Sequence, residues 1–267
     1  MKKLFFFLIL LATYSLQAQS TASRNVSTFL LKATQLDTVK KIWVYLPQSY
    51  HSSHKKYPVL YLQDAQNLFD KSTSYAGEWR VDETLDSLQL DLIVVGIEHG
   101  NEKRINELTP FPNPKYGGGK AQKYLDFLLN TVKPEIDKRY QTIKNSKNTF
   151  IGGSSLGGLF AYYSILKYPD VFGKALVFSP SFWFSDKIND FTDSKSAEDL
   201  KNIKIYFSAG QKEGEDMVPL MKEMKNRLIS KGLDASHFYL QSIPDAEHNE
   251  KQWAAAFPDA VLWLITH

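Results

Sequence analysis

The chain has no cysteine, which excludes disulfides and also the lipid-modified N-terminal cysteine of a lipoprotein. It lacks an excess of either charge, with 32 Lys and Arg against 29 Asp and Glu. Removal of residues 1–18 takes away two of those lysines and no acid, so the remainder is almost balanced and carries no electrostatic footprint for a nucleic-acid partner or an anionic membrane surface. Internal repeats and low-complexity linkers are missing as well. His51, His54 and His99 make no metal-ligand spacing with one another, and the stripe Met217, Met221, Met224 reads as helix core, so no metal or cofactor is expected.

The apolar run Leu4 to Leu11 is far shorter than the roughly 20 residues a spanning helix needs. Preceded by Lys2 and Lys3 and followed by Ser15-Leu16-Gln17-Ala18, it reads as a signal peptide cut after Ala18. The expectation is an exported protein, periplasmic or secreted, with no stable membrane insertion after cleavage. Residues 19–267 are then one α/β domain.

What the chain does have is Gly152-Gly153-Ser154-Ser155-Leu156-Gly157-Gly158, a Gly-x-Ser-x-Gly motif between the strand-like Thr149-Phe150-Ile151 and the helix-like run Leu156 to Leu166. Glycine is required at Gly153 and Gly157 because a Cβ there would crowd the helix against the strand. Ser155 is thereby exposed on a strained turn as a nucleophile, with Ser154 beside it as the competing assignment. A serine hydroxyl needs a histidine base and an orienting carboxylate, in the order serine, acid, histidine. After Ser155 the histidines are His237, which opens a strand, His267, which ends the chain, and His248, in the polar loop Pro244 to Glu250 before a helix containing Trp253. His248 is therefore the base. The strand Ile203 to Gly210 is followed by Glu213, Glu215 and Asp216, and Glu213 is taken as the acid because it comes soonest, while the other two suit the start of the next helix. Acyl transfer also needs two amide donors for the oxyanion: Leu156 supplies one, and the loop after Tyr57 to Leu62 the other.

Tyr57-Pro58-Val59-Leu60-Tyr61-Leu62-Gln63-Asp64, Val94-Val95-Gly96-Ile97 with Arg104 and Glu107-Leu108-Thr109, Ile151 to Phe160, and Ser179-Pro180-Ser181-Phe182-Trp183 resemble the "Putative esterase" family of α/β-hydrolases. That family includes S-formylglutathione hydrolases, siderophore esterases, feruloyl and acetylxylan esterases and mycolyltransferases. The resemblance implies an α/β-hydrolase fold with a mostly parallel sheet and helices on both faces. It implies a serine carboxylesterase with Ser155, Glu213 and His248 as its triad, and it places the second oxyanion amide on Gln66. The family's glycine before that donor is Ala65 in this chain. Acyl transfer to a sugar or alcohol, and a non-catalytic ligand-binding module, are the alternatives.

Continuous apolar runs at Tyr57 to Leu62 and Leu92 to Ile97 suit parallel strands covered on both faces. The alternation of Ile42, Val44 and Leu46 predicts instead an antiparallel hairpin partner at the sheet edge. Ala121, Tyr124, Leu125, Leu128, Leu129, Val132 and Ile136 predict one helix. For an ester substrate, small or linked to carbohydrate, the candidate contacts are Asp64, Tyr116 and Trp183. Arg104, Glu107 and His99 read as loop residues.

Overall fold

The computed structural model describes residues 20–267. The signal-peptide reading falls outside them. Eight strands form one sheet: β1 (Val26–Ala33), β2 (Thr38–Tyr45), β3 (Val59–Gln63), β4 (Ile93–Ile97), β7 (Thr149–Ser154), β8 (Lys174–Phe178), β9 (Lys204–Gly210) and β10 (Phe238–Ile243). Their order is β1-β2-β4-β3-β7-β8-β9-β10. The β1/β2 and β2/β4 pairs are antiparallel, and the others are parallel. A separate two-stranded ribbon joins β5 (Pro112–Asn113) to β6 (Gly117–Gly118).

The period of two along each strand divides the core into two layers. Val59, Tyr61, Ile93, Val95 and Ile151 face one side, where they meet α3 (Ala121–Phe127), α4 (Lys133–Arg139), α5 (Leu156–Lys167) and α8 (Met217–Ser230). Leu60, Leu62, Val94 and Phe150 face the other, against α1 (Val81–Leu88) and α9 (Glu250–Thr266). Short helices α2 (Arg104–Leu108), α6 (Lys187–Asp193) and α7 (Ala197–Leu200) fill connections. With helices on both faces of a mostly parallel sheet, the fold is α/β as expected.

Two expectations need adjustment. Strand β2 does lie in an antiparallel hairpin, but the true edge is β1. Trp43 and Tyr45 are as buried as Ile42 and Val44, because α1 and its neighbours reach under that face. Trp43 Nε1 donates to Glu98 at 2.8 Å and the Tyr45 hydroxyl to Asp86 at 2.8 Å, so the polar ends of both side chains are satisfied. The long helix also departs from regularity. A π turn at Leu128–Val132 joins α3 to α4, just where Pro134 has no N–H to continue the α-helical ladder.

Strand order reverses between β3 and β7. The chain leaves β3 towards β4 on one side and leaves β7 towards β8 on the other. The loops after these two adjacent strands therefore diverge and open a crevice at their carboxyl ends, where ligands bind in such sheets. Asp64 follows β3 and Ser155 follows β7.

The loop after β4 is held by a buried ion pair. Lys40 Nζ lies 2.7 Å from Glu107 Oε2, both side chains almost fully buried, and the same oxygen accepts the Gly100 N–H at 2.8 Å. Burial lowers the Lys40 pKa from its ordinary value, against the opposing pull of Glu107. Removing one partner strands the other charge. Lys40→Met is expected to cost about 3 kcal/mol in urea unfolding, while Lys40→Met with Glu107→Leu recovers most of it. Equal loss in the single and double variants would show that the pair is not the cause.

Candidate active site

The elbow at Ser155 is built by close approach of backbone. A Cβ on Gly153 would lie 2.8 Å from the Gly157 carbonyl carbon, so strand β7 and helix α5 approach this closely because Gly153 is bare, whereas a Cβ on Gly157 would meet Gln63 and Asp64 at the end of β3, each at 3.2 Å. Ser155 takes up the turn at φ 57° and ψ −121°, a region that side-chain-bearing residues rarely occupy. Its N–H donates to Phe178 O at 3.0 Å, and its carbonyl accepts from Ser181 N at 3.1 Å. These bonds pin the elbow to the loop after β8. The expected requirement for glycine thus holds at Gly153, while at Gly157 the crowding is against the end of β3 rather than against β7.

Glu213 and His248 come together across the ends of β9 and β10. His248 Nδ1 is 2.7 Å from Glu213 Oε2, with the carboxylate side chain fully buried and the imidazole 36% exposed. The two loops are zipped by Gln211 N–H to Ile243 O and Lys212 N–H to Ala246 O, each 2.9 Å. Gly210 allows this, because any Cβ there would collide with the Ala246 carbonyl. Asn249 then caps α9 by accepting the Gln252 N–H at 3.1 Å, which places His248 immediately before the helix. The other oxygen of Glu213 accepts the Gly210 N–H at 2.5 Å and the Ser179 hydroxyl at 2.8 Å. The Trp253 ring stands at 88° to His248, with centroids 5.0 Å apart.

Ser154, Ser155, His248 and Trp253 line one cavity of about 630 Å³ together with Asp64, Gln66, Asn67, His99, Asn101, Arg104 and Glu250. Ser155 Oγ has Ser181 Oγ, 3.2 Å away, as its hydrogen-bond partner instead of His248. The amides of Gln66 and Leu156 have no hydrogen-bond acceptor among the described residues. Gln66 itself is fixed by a reciprocal pair: its Nε2 donates to His99 O at 3.1 Å, and its Oε1 accepts the His99 N–H at 3.2 Å. The substitution Ala65 is accommodated without strain. Its φ is not positive, that burden being carried by Asp64 at φ 60°, and Gly96 opposite leaves room for the alanine methyl.

Among the expected substrate contacts, Asp64 reaches the cavity, but Arg104 takes both of its oxygens at 2.8 Å each. Burial opposes ionisation of Asp64, and the Arg104 guanidinium overrides it, holding the carboxyl below the usual range. Arg104 and Glu107 do tie a loop together, and Arg104 also lines the cavity. His99, read as a loop residue, is half-buried in the same wall, and burial lowers its pKa from the ordinary value. Tyr116 and Trp183 are about half exposed and pack edge to face with centroids 6.1 Å apart, but neither lines the cavity. Sequence reasoning missed His99, Asn101, Arg104, Ser179, Ser181 and Trp253. Position alone would have flagged most of them, since they follow the carboxyl ends of β4 and β8. Outside the cavity, oxygens of Glu78, Asp82 and Glu83 approach within 4.8 Å of one another. Thr21 and Ser23 donate to two of these acids, which anchors the segment before β1.

The family model described as "Putative esterase" matches residues 33–264. The uncharacterized protein YbbA of Bacillus subtilis is 27% identical over 238 residues, 84% of this chain and 92% of that protein. The ferri-bacillibactin esterase BesA of Bacillus subtilis is 29% identical over 178 residues, 59% of this chain and 60% of that one. A solved ferulic acid esterase superposes with a TM-score of 0.70 at 18% identity, covering 90% of this chain and 97% of that one. Among the described residues no helix is long and apolar enough to cross a membrane.

The Asp64–Arg104 pair generates a signed expectation. A carboxyl held below its ordinary pKa of ~3.9 stabilises the fold in full above that value and loses the contribution as pH falls through the lower folded-state value. Asp64→Asn should therefore be less stable than the parent near neutrality, with the gap closing below about pH 4. Urea unfolding from pH 3 to 7 measures it, and a gap independent of pH would refute the assignment.

Proposed function

The chain belongs to the "Putative esterase" family, and from that membership we propose that it is an exported serine esterase working through Ser155, His248 and Glu213. The observation that carries the reading is the 2.7 Å contact between His248 Nδ1 and buried Glu213, at a cavity whose wall also holds the strained Ser155. With Nδ1 engaged by Glu213, Nε2 is left to accept the serine proton. In this reading the Ser155 hydroxyl exchanges Ser181 for that nitrogen when substrate enters, since such contacts often tighten only in the complex. Attack on the ester carbonyl gives a tetrahedral oxyanion, which the amides of Gln66 and Leu156 receive. His248 returns the proton to the departing alcohol, and water then releases the acyl group by the same steps in reverse.

The cavity wall is rich in polar side chains, which favours an ester whose bound portion carries hydroxyl or amide groups over a lipid. Outside its lining, the half-exposed Trp183 follows Ser181, the hydrogen-bond partner of Ser155, by two residues and packs on Tyr116, and the two rings suit an aromatic or sugar ring. Ferri-bacillibactin and feruloyl esters, named for the relatives, meet both conditions. Export rests on Lys2, Lys3 and the apolar run Leu4 to Leu11.

A fluorophosphonate should label Ser155, and Ser155→Ala should lower turnover of an activated ester by about 10⁴-fold or more with the fold intact. An inactive Ser154→Ala beside an active Ser155→Ala would move the nucleophile. Glu213→Gln is expected to lower turnover by roughly 10²- to 10⁴-fold, because an amide favours the wrong imidazole tautomer. Equal losses in Glu215→Gln would reassign the acid.

Trp183→Ala should raise KM for feruloyl esters by about tenfold and leave a simple acetate ester unaffected, in keeping with the strength of one ring stack. Identical changes for the two esters would remove Trp183 from substrate binding.

A further inference from the structure

Beyond the triad, we infer that Trp253 and Ser179 form a positioning pair that closes a ring of side chains around the acid and the base. The inference rests on the reading of Ser155, His248 and Glu213 as the catalytic groups. Trp253 Nε1 donates to Ser179 Oγ at 2.8 Å, and Ser179 Oγ donates to Glu213 Oε1 at 2.8 Å. Glu213 Oε2 meets His248 Nδ1 at 2.7 Å, and the His248 ring packs edge to face against Trp253 itself.

The direction of the bonds is forced. An indole N–H can only donate and a carboxylate can only accept, whereas a serine hydroxyl has one proton and can do both. With Trp253 donating to one lone pair of Ser179, the hydroxyl proton points to Glu213. That proton and the Gly210 N–H fill one carboxylate oxygen and leave the other for the imidazole. The Trp253 ring meanwhile limits rotation of His248 about its own axis. One residue of α9 therefore acts at two points on the machinery without touching the reacting atoms.

The setting of Ser179 fits this role. It is fully buried and held at φ 42°, a left-handed conformation unusual for serine, with its N–H bonded to Ser208 O at 2.7 Å. A serine serving only to satisfy the indole would need no such backbone. Two residues on, Ser181 carries the hydroxyl nearest Ser155 Oγ. The same short loop thus touches both the acid and the nucleophile.

The test is Trp253→Phe, which keeps an aromatic ring against His248 but removes the indole donor, compared with Ser179→Ala and with the double variant. Trp263→Phe, on the same helix but outside the ring, controls for loss of core packing. Trp253→Phe and Ser179→Ala should each lower kcat for an activated ester about tenfold, as expected for one hydrogen bond to a charged group, with KM unchanged. The double variant should be little worse than either single one, since both break the same relay. The downfield proton resonance of the imidazole N–H bonded to Glu213 should shift or broaden in both, and stay in place in Trp263→Phe. Fluorophosphonate labelling of Ser155 in the parent separates the two levels of the argument. Labelling with unchanged kcat and resonance in Trp253→Phe overturns the positioning role alone, as does strict additivity in the double variant. Failure of the parent to label overturns the catalytic reading and the positioning role with it.

Discussion

A serine at φ 57° and ψ −121° survives only if its surroundings leave it no alternative, and here backbone packing removes the alternatives. Helix α5 lies so close to β7 that Gly153 nearly touches the Gly157 backbone, while bonds from Ser155 N–H and to its carbonyl fasten the turn to the loop after β8. Strain of a few kcal/mol at most is stored in this turn, and the buried faces of β7 and α5 hold it there. The position of Ser155, the orphan amide of Leu156 and the placement of Ser181 all descend from that single close approach.

A second constraint is topological. Because β3 and β7 are neighbours whose connections run in opposite directions, the crevice opens between Asp64 and Ser155. The walls are then furnished by whichever residues follow adjacent strand ends. Arg104 is one such residue: its fork neutralises Asp64, so the carboxylate beneath the elbow costs little despite its burial. Farther back, the Lys40–Glu107 pair steadies the loop that carries Arg104 and His99. Charge is thus managed in pairs that converge on the cavity from behind.

Departures from the family pattern have local compensations. Ala65 stands where the family resemblance implies glycine; its φ is not positive, the positive φ of this loop lies at Asp64, and the methyl faces Gly96. The amide of Gln66 keeps its freedom to donate while its side chain is anchored to His99. Such compensation is invisible in a motif, because the two partners are separated by about 30 residues in the chain.

Much of this protein was legible before any coordinates. The strand, turn and helix around Ser155 announce themselves through glycine spacing and an apolar run, both local signals with a steric cause. Chain order and elimination among three histidines led to His248, and the strand preceding Glu213 led to it as the candidate acid; the structure brings the two to 2.7 Å of each other. The parallel core strands were readable because burial on both faces demands unbroken apolar runs. Tertiary structure decided the rest. Burial of Trp43 and Tyr45 depends on how far the helix layers extend, and the π turn depends on how Pro134 meets the preceding turn. The partnership of Asp64 with Arg104, and of Glu213 with Ser179 and Trp253, joins residues 34 to 74 positions apart. No periodicity records such pairings, because hydrogen bonds and ion pairs act over a few ångströms in space, and only the packed sheet brings those atoms within reach.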